Sequence, residues 1–207
     1  GSPTFSQTGG KTSESIDLIA GHSALLGQLK DVLLEPGCGL FLTSEAGRTG
    51  DLVNTLGKQL AHKVRKHFND GIYTINLSGY DPLGHPALDA NQAQRYVLAQ
   101  LIAPVDIPQE PRALTRLYRN TFANRNALLL LLDAADAQQV RYLIPRKGTK
   151  VIITSVRDLS GSFPKLHPQF ISGLAPEDAY RLLTAISPRS LLENKRTLTK
   201  LCGLLDY

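Results

Sequence analysis

The chain alternates short unbroken apolar runs with longer stretches in which apolar residues recur every three or four positions. The first pattern predicts strands buried on both faces of a parallel sheet; the second predicts amphipathic helices lying against it. Ser23 is placed to cap a helix over 24–34 that turns Leu25, Leu26, Leu29, Val32 and Leu33 inward, and Glu35, Pro36 and Gly37 end it. Gly39–Thr43 predicts the first strand. The next helix, Leu52–Phe68, has a stripe of Leu52, Val53, Leu56, Leu60, Val64 and Phe68. After a turn at Asn69–Gly71, Ile72–Leu77 predicts a second strand. Asp89 and Gln92 have capping-box spacing and open a helix through Val97, Leu98, Leu101 and Ile102. Arg112–Phe122 is helical, with Leu114, Leu117, Tyr118 and Phe122 inward. Ala127–Leu132 carries five leucines without alternation and predicts a central strand. Asp136–Leu143 predicts a short helix, Val151–Ser155 another buried strand and Gln169–Ser172 an edge strand. Pro176–Ile186 and Leu191–Leu205 predict further helices.

Strands and helices in alternation predict an α/β fold, a parallel β-sheet flanked by helices. The expected organisation is a Gly/Ser/Thr-rich linker over 1–14, the α/β domain over 15–173 and the start of a helical subdomain over 174–207. Ligands of such sheets bind beyond the carboxyl ends of the strands. That points to the polar residues of Ser44–Asp51, Asp133–Asp136 and Thr154–Asp158.

Composition narrows the classes. The 207 residues, 42% hydrophobic and 20% charged, suit a packed domain. No apolar run approaches the roughly 20 residues of a membrane span, so a membrane role is not expected and the expected location is cytoplasmic. Cys38 and Cys202 are far apart with no C-x-x-C spacing or neighbouring His, which argues against a disulfide framework or zinc site and for two small buried apolar residues. The net charge of +5 is modest, and its densest cluster, Lys58–His67, sits on one predicted helix. With no aromatic interleaving it reads as a solvated face; a basic nucleic-acid-binding module is the most distant alternative. The opening Gly1-Ser2 and the absence of Met fit a piece of a longer protein.

Candidate chemistry centres on the strand–turn–helix from Gly39 to Phe68, the order that builds a phosphate-binding loop. Such a loop, G-x-x-x-x-G-K-[ST], turns backbone N–H groups and a helix N-terminus toward phosphate, while Lys cancels charge and a hydroxyl holds Mg²⁺. The best frame here runs Ser44, Glu45, Ala46, Gly47, Arg48, Thr49, Gly50, Asp51. Gly50 stands at the Lys position and Asp51 at the hydroxyl. A unit-charge pair at about 4 Å and an effective dielectric near 20 is worth roughly 4 kcal/mol, so exchanging Lys for Gly and a hydroxyl for a carboxylate opposes phosphate binding. Two readings stand. Arg48 supplies the missing cation, or the loop is a plain turn in which Asp51 stabilises the helix N-terminus. A second frame sets Gly47, Arg48 and Thr49 as G-K-T and places Leu42 at the first Gly.

Several stretches, in shared order and spacing, resemble the NB-ARC domains of STAND-class P-loop NTPases, in particular those of AfsR-like bacterial regulators. They are His67–Asp81, Leu117–Arg119 with Asn126–Asp133, Gln139–Pro145, Val151–Ser155 and Leu174–Leu183. The likeness runs from about Ile19 to Tyr207. It implies a P-loop NTPase-like sheet followed by a helical ARC-type subdomain, and an ATP/ADP-governed switch in a multidomain regulator that oligomerises on activation. Flanking domains of its own chain are then the expected partners.

The family's chemical positions depart from the pattern here. Asp133 stands where the family has a pair of acids that hold Mg²⁺ and water, either at the first position with Ala134 at the second or, counting back from Gln139, at the second with Leu132 at the first; either way one acid of the pair is absent. An Asp capping the following helix is the competing reading of Asp133. Where the family has Arg directly after Thr-Ser, Val156 intervenes and Arg157 follows, a shift that turns a strand-end side chain to the other face. Ala20, Gly21 and His22 stand where the family has Gly-Arg in a segment near the adenine, which implies that His22 either stacks on the base or lies on the surface. The resulting expectation is a regulatory and oligomerisation domain with a degenerate P-loop and little or no ATPase activity. It has no required cofactor and no assured Mg²⁺. The alternative is a non-hydrolysing ADP- or ATP-binding switch that uses backbone amides, Arg48 and Asp133.

Overall fold

A computed structural model describes residues 23–37, 39–44, 50–79, 86–145 and 147–171. Five parallel strands are β1 (Gly39–Ser44), β2 (Ile72–Asn76), β3 (Leu128–Leu132), β4 (Lys150–Ser155) and β5 (Leu166–Ile171). They lie in the order β2-β3-β4-β1-β5. The helices are α1 (Ser23–Leu34), α2 (Gly50–Val64), α3 (Ala90–Leu98), α4 (Pro111–Phe122) and α5 (Ala137–Arg141). Elements from Leu25 onward fall in one compact unit, Leu25–Gly173.

The central strands are the ones with unbroken apolar runs. β1 and β3 are buried at every residue, and β4 at all but Lys150. Alternate side chains feed two cores. Phe41, Leu129, Leu131, Val151 and Ile153 join the cluster formed with α3, α4 and α5. On the other face Gly57 of α2 lets the helix approach Thr154, Leu130 and Leu132, where an added Cβ would already lie 3.0 Å from Thr154 Cγ2. The β2 and β5 edges are less buried, and Pro168 of β5, which has no N–H to donate, sits on such an edge.

Local signals explain the helix boundaries. The Asp89/Gln92 capping box forms as expected, with reciprocal bonds of 2.8 and 2.9 Å. Pro111 at the first turn and the Glu110 carboxylate, accepting from Arg112 and Ala113 N–H, start α4. Lys150 Nζ donates to the Leu33 and Glu35 carbonyls, tying the start of β4 to the carboxyl end of α1, where a cation is favoured. The second helix ends at Val64 and tightens into a 3₁₀ turn over Arg65–His67, so Phe68 is buried beyond the helix. β5 begins at Leu166, earlier than the expected Gln169, because pairing with β1 recruits the polar stretch around Pro168 that has no strand pattern of its own. The helices expected beyond Ser172 lie outside the described residues.

Tyr118 of α4 is fully buried, and its hydroxyl donates to the Leu143 carbonyl at 2.9 Å. Burial pushes its phenol well above the ordinary value of 10.0. The folded state therefore keeps a proton that the unfolded chain releases. This contribution is fully present below about pH 10 and is lost above it, at about 1.4 kcal/mol per pH unit. Tyr118→Phe is expected to cost about 1–2 kcal/mol at neutral pH, from the orphaned carbonyl. It should also make the alkaline fall in stability shallower, as read by urea denaturation between pH 8 and 11.

Candidate functional site

The carboxyl ends of β1, β3 and β4 adjoin and carry most of the buried polar side chains among the described residues: Thr43, Ser44, Asp133, Thr154 and Ser155. The register sets Leu42 opposite Thr154 and Thr43 opposite Ser155. Thr43 Oγ1 and Ser44 Oγ are buried without a hydrogen-bond partner among the described residues. Ser44 is thus the last residue of β1, paired with Ile171, and Leu42 is fully buried inside the strand. The frame that starts a phosphate loop at Leu42 would begin within the sheet. Gly50 opens α2. His22 and the loop residues Glu45, Ala46, Gly47, Arg48 and Thr49 lie outside the described residues, as does the Asp51 side chain.

Asp133, at the end of β3, has φ +56°, a left-handed conformation that costs a non-glycine residue about 1–3 kcal/mol and persists only where its surroundings enforce it. Three backbone bonds do so. The Asp133 N–H donates to Thr154 Oγ1 at 2.9 Å, the Asp133 carbonyl accepts from Gly79 N–H at 2.7 Å, and Ala134 N–H donates to the Thr154 carbonyl at 2.8 Å. Thr154 in turn donates to Asn54 Oδ1, so one hydroxyl joins β3, β4 and α2. The turn leaves Asp133 buried and directs Ala134, only 1% exposed, into the core.

The cap of the following helix is a different residue. Asp136 accepts from Gln139 N–H at 2.8 Å and is the N-cap of α5. The reading of Asp133 as that cap is therefore corrected: its left-handed turn places two residues between it and the capping position.

Arg157 is exposed, and its guanidinium donates to the Ala135 carbonyl at 3.3 Å, while its N–H is held by Ser155 Oγ at 3.0 Å. The bend after β4 thus brings Arg157 to the loop that follows Asp133. The Ser155 hydroxyl also donates to the Ala134 carbonyl at 2.8 Å, so β4 clasps that loop twice.

Gly79 and Gln139 complete the site; both lie in stretches that carry the resemblance, but neither was read as a site residue. A Cβ on Gly79 would lie 2.3 Å from Ala135 N and 2.5 Å from the Ala134 carbonyl carbon, so only glycine fits where the chain leaving β2 crosses the loop after β3. Gln139 Nε2 donates to the Leu77 and Leu88 carbonyls at 3.0 and 2.6 Å, and its Oε1 accepts from Ala135 N–H at 2.9 Å. Gly79 began a stretch read as a Gly/Pro loop. Gln139 opens one of the stretches that carry the resemblance, but its clasp was not legible because Leu77 and Leu88 lie more than fifty positions away; Asn54 had no local signal, its partner Thr154 being still farther along the chain.

The five-stranded parallel sheet, with helices around it and polar groups gathered at the carboxyl ends of its central strands, is an α/β fold of the P-loop NTPase type. The structure of the Aeropyrum pernix ORC2 protein (ADPNP-ADP complexes) matches it with a TM-score of 0.50 at 12% identity, covering 79% of this chain and 50% of that one. At that identity the likeness concerns the fold alone. In sequence the chain is similar to regulatory protein AfsR of Streptomyces griseus, 33% identical over 174 residues, which is 81% of this chain and 17% of that protein. Regulatory protein AfsR of Streptomyces coelicolor is 31% identical over 188 residues, covering 86% of this chain and 18% of its own. The chain spans less than a fifth of these relatives. No family model matches it. Among the described residues no cluster of three His, Cys, Asp or Glu could hold a metal ion, and no helix is long and apolar enough to cross a membrane.

Proposed function

We propose that this is an NB-ARC-like regulatory domain of a larger signalling protein, a P-loop NTPase fold that has kept its frame and lost ATP turnover. The observation that carries the reading is at the end of β3. Asp133 is held in a left-handed turn, while the neighbour that would supply a second acid is Ala134, packed in the core. Hydrolysis needs a polar side chain to position the attacking water, a role alanine cannot fill, as well as charge on the phosphates. Gly50 and Asp51 remove the Lys and hydroxyl of the phosphate loop on the opposite side. Similarity to AfsR regulators supports a role inside a multidomain protein, with the domain acting through contacts to its flanking segments and through self-association.

A second reading keeps nucleotide without turnover. It is favoured by the buried Thr43 and Ser44 hydroxyls directly before the loop, which lack partners among the described residues, and by Arg157 reaching the loop that follows Asp133. In this reading backbone amides and Arg48 carry the phosphates of ADP or ATP, and Asp133 is the carboxylate that would hold a Mg²⁺ ion.

One experiment separates the two. Purified protein is denatured and the supernatant chromatographed for ADP and ATP, alongside calorimetry with Mg·ATP and Mg·ADP. The regulatory scaffold predicts no stoichiometric nucleotide and no phosphate release above background; one ADP per chain would overturn it in favour of the second reading. The double substitution Gly50→Lys with Asp51→Thr is expected to tighten ADP binding at least tenfold, about 1.4 kcal/mol, since it restores an attraction and removes a repulsion. Absence of any gain would place the lesion elsewhere in the pocket.

A further inference from the structure

A groove lies between α3 and α4. It encloses about 680 Å³ and is lined by Asn91, Arg112, Thr115, Arg116, Arg119 and Tyr142 among others. The three arginines follow one another at i, i+4 and i+7 along α4 and so share one face over about 10 Å. All three are exposed, α4 contains no acidic residue, and among the described residues no carboxylate forms an ion pair with any of them. Like charges at this spacing repel, so the row is electrostatically incomplete without a counter-charge.

The groove floor is rigid. Gln94, fully buried, accepts from Thr115 Oγ1 at 3.1 Å and donates to the Tyr142 carbonyl at 3.0 Å. This fixes α3, α4 and the end of α5 together and presents the half-exposed Tyr142 side chain beside the arginine row. Guanidinium groups pair bidentately with carboxylates, and an aromatic wall at one side suits an apolar neighbour in the same segment.

We propose that this groove docks an acidic helical segment of a partner protein. Carboxylates at i, i+4 and i+7 of that helix would match the arginine row in spacing and in sign. A duplex nucleic acid fits less well. It presents a long uniform line of phosphates, whereas here only three cations line a short groove of pocket dimensions.

The test uses a fluorescein-labelled Ala/Leu-based helical peptide carrying Glu at those three positions, its Gln counterpart and a random-sequence DNA duplex. Binding to the whole chain is read by anisotropy at low and physiological salt. The expected result is binding of the Glu peptide, about tenfold or more weaker binding of the Gln peptide, and a similar loss in the triple variant Arg112→Gln, Arg116→Gln, Arg119→Gln with unchanged melting. Should the triple variant melt early, the charge swap decides: Arg116→Glu should lose the Glu peptide and regain a peptide with Lys at the central position. No binding of the Glu peptide at low salt, binding insensitive to these substitutions, or failure of the charge swap overturns the proposal. Tighter binding of duplex DNA that the same substitutions abolish overturns it in favour of a nucleic-acid surface.

Discussion

Gly79→Ala is expected to be the most damaging single-methyl change in the described structure. The added Cβ would meet Ala135 N, the Ala134 carbonyl carbon and Ala135 Cα at 2.3, 2.5 and 2.6 Å, all of them backbone atoms. A flexible side chain could turn aside; two crossing backbones cannot separate without breaking the bonds that join them. Gly79 N–H to the Asp133 carbonyl is one of those bonds. Overpacking of this kind costs about 3 kcal/mol or more, which in a domain of this size lowers the melting temperature by roughly 10 °C. Gly27→Ala is the matched control. It lies in α1 with nothing within 4 Å of the added carbon and should be neutral or stabilising by about 0.5–1 kcal/mol. Equal melting temperatures for the two variants would show that the loops after β2 and β3 can part freely.

The second large effect is expected at Gln139, whose side chain makes three hydrogen bonds to backbone groups of two loops. Gln139→Met keeps the length and approximate volume of the side chain and removes all three bonds. The Leu77 carbonyl keeps its bond from the Leu88 N–H at 3.0 Å, and the groups at Leu88 and Ala135 are partly buried, so water restores some of what is lost. The cost should be about 2–4 kcal/mol, visible as a lower urea midpoint at unchanged slope. Asp136→Ala, which removes only the cap of the short α5, should cost about 1 kcal/mol. Hydrogen exchange at the Ala135 amide should accelerate in Gln139→Met. If Asp136→Ala proved the more damaging, the clasp would not be the element that holds these loops.

Both positions show how the site differs in legibility from the scaffold. The leucines of β3 could be read directly, since a strand covered on both faces requires an unbroken apolar run. The Asp89/Gln92 box was equally plain, since its two bonds close within four residues. Asp133 and Arg157 were recognisable as candidates, but their geometry was not. The register argument turns Arg157 to the other face of the strand unless the backbone bulges, and the bend after Ser155 is what brings its guanidinium to the Ala135 carbonyl. Asp133 had a cap as its competing role, and the cap is Asp136. In each case a backbone excursion of one or two residues outside regular structure decided the outcome. Such excursions are set by partners more than twenty positions away, as Thr154 is from Asp133.

By itself the sequence determined the class of fold, the central strands and the start of α3 at its capping box. All of these rest on interactions within a few residues or on the chemistry of single side chains. Only the tertiary structure decided the strand order, the left-handed turn at Asp133, the glycine crossing at Gly79, the Gln139 clasp and the arginine-lined groove. These depend on which distant segments meet, and periodicity along a chain records that a face is buried without recording what buries it.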